Sequence, residues 1–476
     1  MADIRDSQTR LNAYIPETLL NWYNDAGNEP PHVISPLRGA VVCVDASGFT
    51  AMTRRLAERG KLGPELLTSR LNLFFDEMSA AVFERGGDVL KFAGDAFWAY
   101  FPDEFAPDSF LGAALSRLKN VNGANDLARE YPLTIHIGAE FGEFWLASLG
   151  DPAIRLEIEP VGQIIERVFR LCDQAETNQL VIGAELAERC QRIHNLLPLP
   201  GDVFLVEAHY ENRSLTERGY TANRYDLPRL SDHLRPYLPI AVAGRLESER
   251  AGAELQSEHR DVVVLFAQFE FHSSDATHAE AAEVVTALNS VLGYAFGAVR
   301  ELGGSISRID PYLSGHKLLI LFGAPVKGEN DELMAIACAR RLTQLNDERF
   351  KIRIGAALGS LFCGDVGASR RREYTVMGEC ANMAARLMSQ AAFGQVLIDG
   401  AMRDNLPTSV TTSKIELALK GIGRRVPCFQ LTGVSEESQH STAQTELVGL
   451  HAETDRLKRF WDGALQGKRR IVSVTG

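Results

Sequence analysis

Two long stretches of the chain carry strand and helix patterns in the same order. The first runs from residue 38 to about 185 and the second from 260 to about 432. Each opens with a continuous apolar run typical of a buried strand, followed by a long segment with apolar residues at helical spacing. Hairpins and further helices come next. Strands paired by hairpins and mixed with helices predict an α+β fold with a mostly antiparallel sheet.

Short segments repeat between the two stretches. IHIGAEFG at 135–142 corresponds to IRIGAALG at 352–359, and ERGGDVLKF at 84–92 corresponds to ELGGSISRI at 301–309. The matching segments are separated by a whole domain length, which is far longer than a solenoid unit. The sequence therefore predicts two copies of one domain.

The polar and Gly/Pro-rich stretches between these patterns indicate the domain limits. A tail ending in RRIVSVTG begins like a P-loop, but no Lys-Ser/Thr pair follows it. We interpret the chain as a piece of a longer protein. The predicted segments are an N-terminal leader (1–36), a first domain (37–200), a linker (201–258), a second domain (259–432), and a spacer with the start of a possible ATPase module (433–476).

Composition and charge narrow the class of protein. The 476 residues are 45% hydrophobic with a net charge of −12. An acidic chain disfavours nucleic acid as a partner. There is no signal peptide, and no window approaches the roughly 18–20 apolar residues of a membrane span. Seven scattered cysteines indicate reduced thiols. We predict a cytoplasmic protein without an integral membrane segment.

Two aspartates of the first copy suggest a metal site. Asp45 ends the first predicted strand and Asp95 lies at the tip of the following hairpin. If that hairpin pairs beside the strand, both carboxylates emerge at one edge. With a backbone carbonyl such as that of Ala46, they suit hard divalent cations. Alternatively, Asp45 caps the next segment and Asp95 only makes a turn.

The second copy carries a different pair of polar residues. Asn382 and Arg386 lie four apart on a predicted helix and so share one face, suited to a sugar oxygen and a polyphosphate. A solvated surface arginine is the alternative.

The repeat makes these pairs complementary. Glu166 and Arg170 stand in the first copy where the second has Asn382 and Arg386, whereas Gln268 and His316 replace the two aspartates in the second copy. Each copy retains half of a site, so pairing about a pseudo-twofold axis would complete one cleft and leave the other degenerate.

Four motifs carry a resemblance to a known family. VDASGFTAMT, GGDVLKFAGDA, EYTVMGECANMAARL and LKGIG are similar to motifs of class III nucleotidyl cyclases, specifically the soluble, bicarbonate-responsive adenylyl cyclases with tandem cyclase domains. The resemblance implies two ferredoxin-like domains that form an intramolecular head-to-tail pseudo-heterodimer in a monomeric chain. It also implies ATP as substrate and two ions of Mg²⁺ or Mn²⁺. The tail resembles the start of the ATPase module that follows the cyclase pair in that group.

The resemblance also implies roles for individual residues. The implied metal ligands are Asp45, Ala46 and Asp95, the ribose-orienting and transition-state residues are Asn382 and Arg386, and the adenine-contacting residue is Thr375.

Three positions depart from the family pattern. Arg308 stands where an adenine-reading lysine is expected, and its guanidinium can still donate to purine acceptors. His136 replaces a phosphate-contacting lysine, which would weaken polyphosphate binding. In the degenerate cleft, Lys91 matches a lysine near the bicarbonate pocket, but Phe169 replaces the bicarbonate-binding arginine. A bicarbonate response would then depend on whether Arg170 reaches the pocket.

These residues predict an adenylyl cyclase that forms 3′,5′-cyclic AMP and pyrophosphate, with a degenerate second cleft available for regulation. Two alternatives stay open. One is a guanylyl cyclase, against which the cation at Arg308 argues. The other is a catalytically weak module that senses nucleotide or bicarbonate and controls a C-terminal ATPase.

Overall fold

A computed structural model describes most of the two predicted domains. The predicted P-loop-like end at 469–476 and most of the predicted linker lie outside the described residues. Those residues are 13–25, 34–48, 52, 56, 62–102, 105–152, 154–190, 196–208, 233–238, 258–271, 278–311, 315–345, 350–367, 370–419, 425–434, 456 and 459–460.

The first half folds into a sheet of eight strands. Their order is β2-β3-β1-β4-β6-β8-β7, with β5 paired to β4. Only the β4–β6 pair runs parallel among the pairs that the structure describes in this sheet. The strands are β1 (Ile34–Ser47), β2 (Asp88–Ala93), β3 (Ala96–Phe101), β4 (Thr134–Asp151), β5 (Arg155–Val161), β6 (Gln179–Gly183), β7 (Leu196–Leu199) and β8 (Val203–Val206).

The second half repeats this topology strand for strand. Its order is β10-β11-β9-β12-β14-β16-β15, with β13 paired to β12. The predicted α+β class and two-copy organisation of the sheets are confirmed. The strands are β9 (Glu258–Phe271), β10 (Ser305–Pro311), β11 (His316–Phe322), β12 (Phe350–Gly367), β13 (Arg372–Met377), β14 (Val396–Ile398), β15 (Val410–Ala418) and β16 (Arg425–Val434).

Helices cover the faces of both sheets. The described residues within 1–406 and 413–431 form one compact unit, and those within 407–412 and 432–476 form another. The helices are α1 (Glu17–Asp25), α2 (Leu62–Phe83), α3 (Pro107–Gly123), α4 (Asp126–Glu130), α5 (Gln163–Gln174), α6 (Ala184–Arg189), α7 (His278–Glu301), α8 (Asp331–Thr343), α9 (Glu379–Gln390) and α10 (Gly400–Asp404), with a 3₁₀ turn at Arg235–Tyr237.

One described helix has the length and composition of a membrane span. Within α7, Ala282–Glu301 has a mean hydropathy of 1.3 over 20 residues, so the prediction that no window approaches the length and composition of a membrane span is wrong for this helix. Length and composition alone are weak evidence, because core helices share them. Asn289 of this helix accepts a hydrogen bond from the Gly150 amide of β4, in the other half (2.8 Å). The helix therefore packs against protein along that side.

Equivalent glycines let one helix approach each sheet closely. A Cβ atom on Gly138 of β4 would lie 2.5 Å from the Val168 carbonyl oxygen of α5. A Cβ atom on Gly355 of β12 would lie 2.2 Å from the Ala384 carbonyl oxygen of α9. Any larger residue would push the helix away. The shared glycine of the IHIGA and IRIGA motifs thus sets the position of α5 and α9.

Two buried arginines join the halves by reciprocal contacts. Arg155 of β5 donates to the carbonyl oxygens of Ile306 and Ser307 on β10 (2.8 and 2.9 Å). Arg371, which precedes β13, donates to those of Val89 and Leu90 on β2 (3.1 and 3.0 Å). The donors occupy equivalent positions in the two copies, and so do the acceptors. Each half therefore binds the equivalent edge strand of the other half, β10 in one case and β2 in the other.

A second reciprocal contact reinforces this arrangement. Asn72 of α2 accepts a hydrogen bond from the Gly367 amide at the end of β12 (3.3 Å). This contact is equivalent to the one described above between Asn289 of α7 and the Gly150 amide of β4. The two long helices thus bind equivalent strand ends across the boundary.

We expect Arg371→Met to lower the free energy of unfolding by about 2–4 kcal/mol, because it removes a buried cation and leaves backbone acceptors unpaired. Urea unfolding measures the change. Arg38→Met is the control. Arg38 is 63% exposed and lies 3.9 Å from Glu143, so its loss should cost about 1 kcal/mol or less. Equal losses in both variants would contradict the reciprocal-contact account.

Candidate active site

The ends of β1 and the β2–β3 hairpin bring two aspartates to one edge. Asp45 pairs in register with Ala96, the residue after Asp95. The Ala46 amide donates to the Asp95 carbonyl oxygen (3.2 Å), which holds the hairpin turn against the strand. Gly94 enters this turn at φ +76°, a conformation that glycine adopts without strain. The backbone, rather than the side chains, therefore sets the position of Asp95.

The two carboxylates influence each other's charge. Burial, and next the negative charge of Asp45, raise the pKa of the Asp95 carboxyl to about 7, although Lys317 and Arg308 act in the opposite direction. A carboxyl pair of this kind gains from a nearby cation, which would favour ionisation of both groups.

A cavity of about 400 Å³ opens beside the aspartates. Its walls come from both halves. Asp45, Asp95 and His136 belong to the first half, and Pro311 and Lys317 to the second. The cavity therefore lies where β10 and β11 of one half meet the open edge of the other.

The imidazole of His136 is held on both sides. Its Nδ1 lies 2.7 Å from the Ala175 carbonyl oxygen and its Nε2 lies 3.0 Å from Ser47 Oγ. A carbonyl oxygen only accepts, so Nδ1 carries the proton and Nε2 of the neutral ring accepts from the serine hydroxyl. Neither nitrogen of the neutral ring is then available to donate to a phosphate.

Arg308 and Thr375 form a buried pair in the second half. Arg308 Nη1 donates to Thr375 Oγ1, and its Nε donates to both carboxylate oxygens of Asp310 (3.0 and 2.9 Å). A Cβ atom built on Gly94 would lie 3.9 Å from Arg308 Nη2. The pair therefore stands beside the hairpin turn that carries Asp95.

The helix residues Asn382 and Arg386 do not share the lining of the cavity beside the aspartates. Asn382 is exposed and Arg386 half-buried on α9. Neither is among the described residues that line the aspartate cavity. The structure thus brings together Asp45, Asp95, His136 and the Arg308–Thr375 pair, but not these two.

The equivalent cleft contains an internal ion pair. Lys91, the counterpart of Arg308, has its Nζ 2.8 Å from Glu159 Oε2 and 4.0 Å from Glu157 Oε2. Burial alone would lower the pKa of Lys91, but these carboxylates outweigh it and raise the value. Glu159, the counterpart of Thr375, is itself fully buried. Lys91 therefore already has a hydrogen-bonded carboxyl partner inside the protein.

His316 completes this second cluster. Its Nε2 lies 3.3 Å from Glu159 Oε1, and burial, followed by the charge of Lys91, lowers the pKa of the imidazole to about 4. Burial raises the pKa of Glu159 to about 8 despite Lys91. The adjoining cavity measures about 30 Å³, which is space for a single water.

The other two predicted regulatory residues lie elsewhere. Phe169 packs on Trp98 with ring centroids 6.1 Å apart and lines the aspartate cavity. Arg170 is 65% exposed, with its Nη2 3.4 Å from Glu166 Oε2. Neither is among the described residues that line the small cavity beside Lys91.

Sequence reasoning missed Lys317 and Glu159. Aligning the copies through their hairpins matches Lys317 with Ala96 and Glu159 with Thr375, which gives their positions in the sheets but not the clefts that they line.

Comparison with known proteins identifies the class. Residues 255–433 match the family described as "Adenylate and Guanylate cyclase catalytic domain". The resemblance to class III nucleotidyl cyclases is confirmed by this match.

The chain is similar to two curated proteins over most of its length. It is 26% identical over 466 residues to "Adenylate cyclase type 10" of Homo sapiens, which covers 90% of this chain and 28% of that protein. The chain is also 26% identical over 465 residues to the protein of the same name from Rattus norvegicus, and this match covers 90% of this chain and 28% of that protein. The chain thus spans little more than a quarter of these relatives.

One solved structure shares the fold across both halves. It is a "Class III adenylyl cyclase-like ATP-binding protein from Pseudomonas aeruginosa", with a TM-score of 0.50 at 12% identity, covering 79% of this chain and 86% of that one. At this identity the likeness shows the fold alone.

In metal-free protein, we expect Asp95 to make stability depend on pH. Its folded pKa of about 7 lies above the ordinary value of 3.8. The folded state therefore binds the proton more tightly, and this contribution to the free energy of unfolding, complete below about pH 4, is lost as pH rises through 7. Asp95→Asn lacks this loss, so it should gain stability relative to the wild type between pH 5 and pH 8. Urea unfolding with a chelator measures the difference, and a constant difference would contradict the assignment.

Proposed function

We propose that the chain is an adenylyl cyclase, which converts ATP to 3′,5′-cyclic AMP and pyrophosphate where its two halves pair head to tail. The observation that carries the proposal is the Arg308–Thr375 pair of one half beside the Asp95 turn of the other. A base-reading pair and a carboxylate pair from different halves then face one bound nucleotide. The similarity to adenylate cyclase type 10 over 90% of the chain supports it.

Asp45 and Asp95 fit divalent cations in their chemistry. The described residues contain no cluster of three or more His, Cys, Asp or Glu that forms a ready metal cage. However, burial beside Asp45 raises the pKa of the Asp95 carboxyl to about 7, and a divalent cation would favour the ionised form of both groups. Mg²⁺ or Mn²⁺ would be held by these two aspartates, the Ala46 carbonyl and substrate oxygens. When bound there, such ions would supply activation of an attacking hydroxyl and neutralisation of phosphate charge.

The base-reading pair favours adenine. Arg308 offers donors, which match the ring-nitrogen acceptors of adenine, and the Thr375 hydroxyl can accept from the 6-amino group. Guanine would require acceptors for its N1–H and 2-amino group. The nearest carboxylate, Asp310, has both oxygens engaged by Arg308 Nε. This arrangement supports ATP over GTP.

Asn382 would orient the ribose and Arg386 would stabilise the charge that develops as the 3′-oxygen attacks the α-phosphorus. Neither side chain lines the aspartate cavity in this structure. These roles would require the bound nucleotide to extend from the aspartate cavity to α9.

A second candidate is a module that binds nucleotide without turning it over. The engaged imidazole of His136 favours it, as does the absence of Asn382 and Arg386 from the described residues that line the cavity. The structural relative is also named as an ATP-binding protein. Binding of ATP with metal but without any product would support this candidate.

We infer the domain organisation and the location of the chain as follows. The paired halves would be the first domain at 37–200 and the second at 259–432, in one chain that needs no second copy. All seven cysteines are free and buried, which is consistent with a reducing, cytoplasmic location.

Purified protein with ATP and Mg²⁺ or Mn²⁺ should form cyclic AMP, and GTP should be the poorer substrate. Asp95→Asn should reduce the rate by at least about 100-fold, because it removes one carboxylate of the pair while preserving the turn. Thermal unfolding checks the fold of the variant. Wild-type turnover in Asp95→Asn would exclude the aspartate assignment, whereas nucleotide binding without product would favour the second candidate.

Bicarbonate, added at constant pH and ionic strength, should leave the rate of cyclic AMP formation unchanged. The ammonium of Lys91 already lies 2.8 Å from the Glu159 carboxylate, so an added anion would have to displace a buried partner. Chloride at equal concentration is the control. A saturable increase specific to bicarbonate would show that the second cleft is open to regulation.

A further inference from the structure

The aspartate cavity has a single lysine or arginine among the described residues that line it. That residue is Lys317, which comes from β11 of the second half, whereas Asp45, Asp95 and Asp173 belong to the first. The cavity is therefore strongly acidic on one side and receives its fixed cation from the other half.

The repeat shows that this cation is a local difference between the copies. Lys317 pairs in register with Gln268 of β9, and the equivalent pair in the first half is Ala96 with Asp45. An ammonium group in one copy thus replaces a methyl group in the other. Asp310, the residue opposite Lys317 on β10, is already engaged by Arg308. Lys317 is therefore not needed as the sole partner of that carboxylate.

Lys317 lines the same cavity as Asp45 and Asp95. Its side chain therefore shares that cavity with the carboxylates that would hold the metal ions. A polyphosphate entering this cavity would meet carboxylates on the first half, together with an imidazole whose nitrogens are held by Ser47 and Ala175. Apart from metal ions bound by the aspartates, Lys317 is then the lysine or arginine that such a polyphosphate would meet among the described lining residues.

We propose that Lys317 contacts the polyphosphate of the bound nucleotide and supplies the cationic group that His136 does not. The inference rests on the proposed function in that the ligand is a nucleoside triphosphate. It adds a substrate-binding residue that neither the motifs nor the repeat had singled out. The competing role is that of a counter-ion for Asp45 and Asp95 alone.

Equilibrium binding separates these roles without turnover. Calorimetry with 3′-deoxy-ATP, which lacks the attacking hydroxyl, is carried out on the full chain at fixed free Mn²⁺. We expect Lys317→Met to weaken binding about tenfold or more, since it removes a charge-assisted contact. Lys317→Arg should retain most of the affinity, and adenosine should bind equally to all variants.

Lys351→Met is the matched control. Lys351 lies on β12 of the same sheet, pairs in register with Glu270 and does not line the cavity, so its loss should not change the affinity. Thermal unfolding checks each variant, and Lys317→Gln replaces Lys317→Met if the latter does not fold.

Titration of Mn²⁺ without nucleotide, monitored by electron paramagnetic resonance, measures metal binding by the aspartates separately from nucleotide binding. A phosphate contact predicts that Lys317→Met binds Mn²⁺ at least as tightly as the wild type. Unchanged or tighter 3′-deoxy-ATP binding in Lys317→Met would overturn the inference, as would absence of triphosphate binding by the wild type. If the wild type binds the analogue but makes no cyclic AMP, a weakened Lys317→Met still supports the inference and only the cyclase proposal fails.

Discussion

The arrangement of both clefts depends on two buried arginines that donate to backbone carbonyls of the opposite half. Arg155 holds β10 and Arg371 holds β2, the strands that carry Arg308 and Lys91 respectively. A guanidinium that loses its hydration needs strong acceptors in a fixed geometry. These contacts therefore specify one relative placement of the halves, and they do so identically on both sides.

The two halves share one backbone arrangement, so the chemical differences between the clefts lie in individual side chains. In both hairpins the register shifts at the same point, just before Lys91 and just before Arg308. A bulge re-aims the side chain that follows it. The backbone therefore directs a cation inward in each copy, and only its partner differs, a threonine hydroxyl in one cleft and the Glu159 carboxylate in the other.

The sequence predicted the repeat, the α+β class and the end-of-strand position of Asp45 because these follow from periodicity and turn residues, which are local signals. It did not predict Lys317 in the aspartate cavity. That placement depends on how two halves pack, and no local pattern encodes it. The position of α9 likewise depends on packing, so the spacing of Asn382 and Arg386 could show a shared helix face but not what that face meets.

The Glu159 carboxylate has a consequence for how the second cleft behaves over time. A ligand attached to the chain has an effective concentration that dilution cannot lower, unlike a free ion that must be supplied by the cell. The contact between Lys91 and Glu159 is therefore available in every folded molecule. The geometry that this contact gives to the second cleft is set by folding and does not depend on the supply of a small anion.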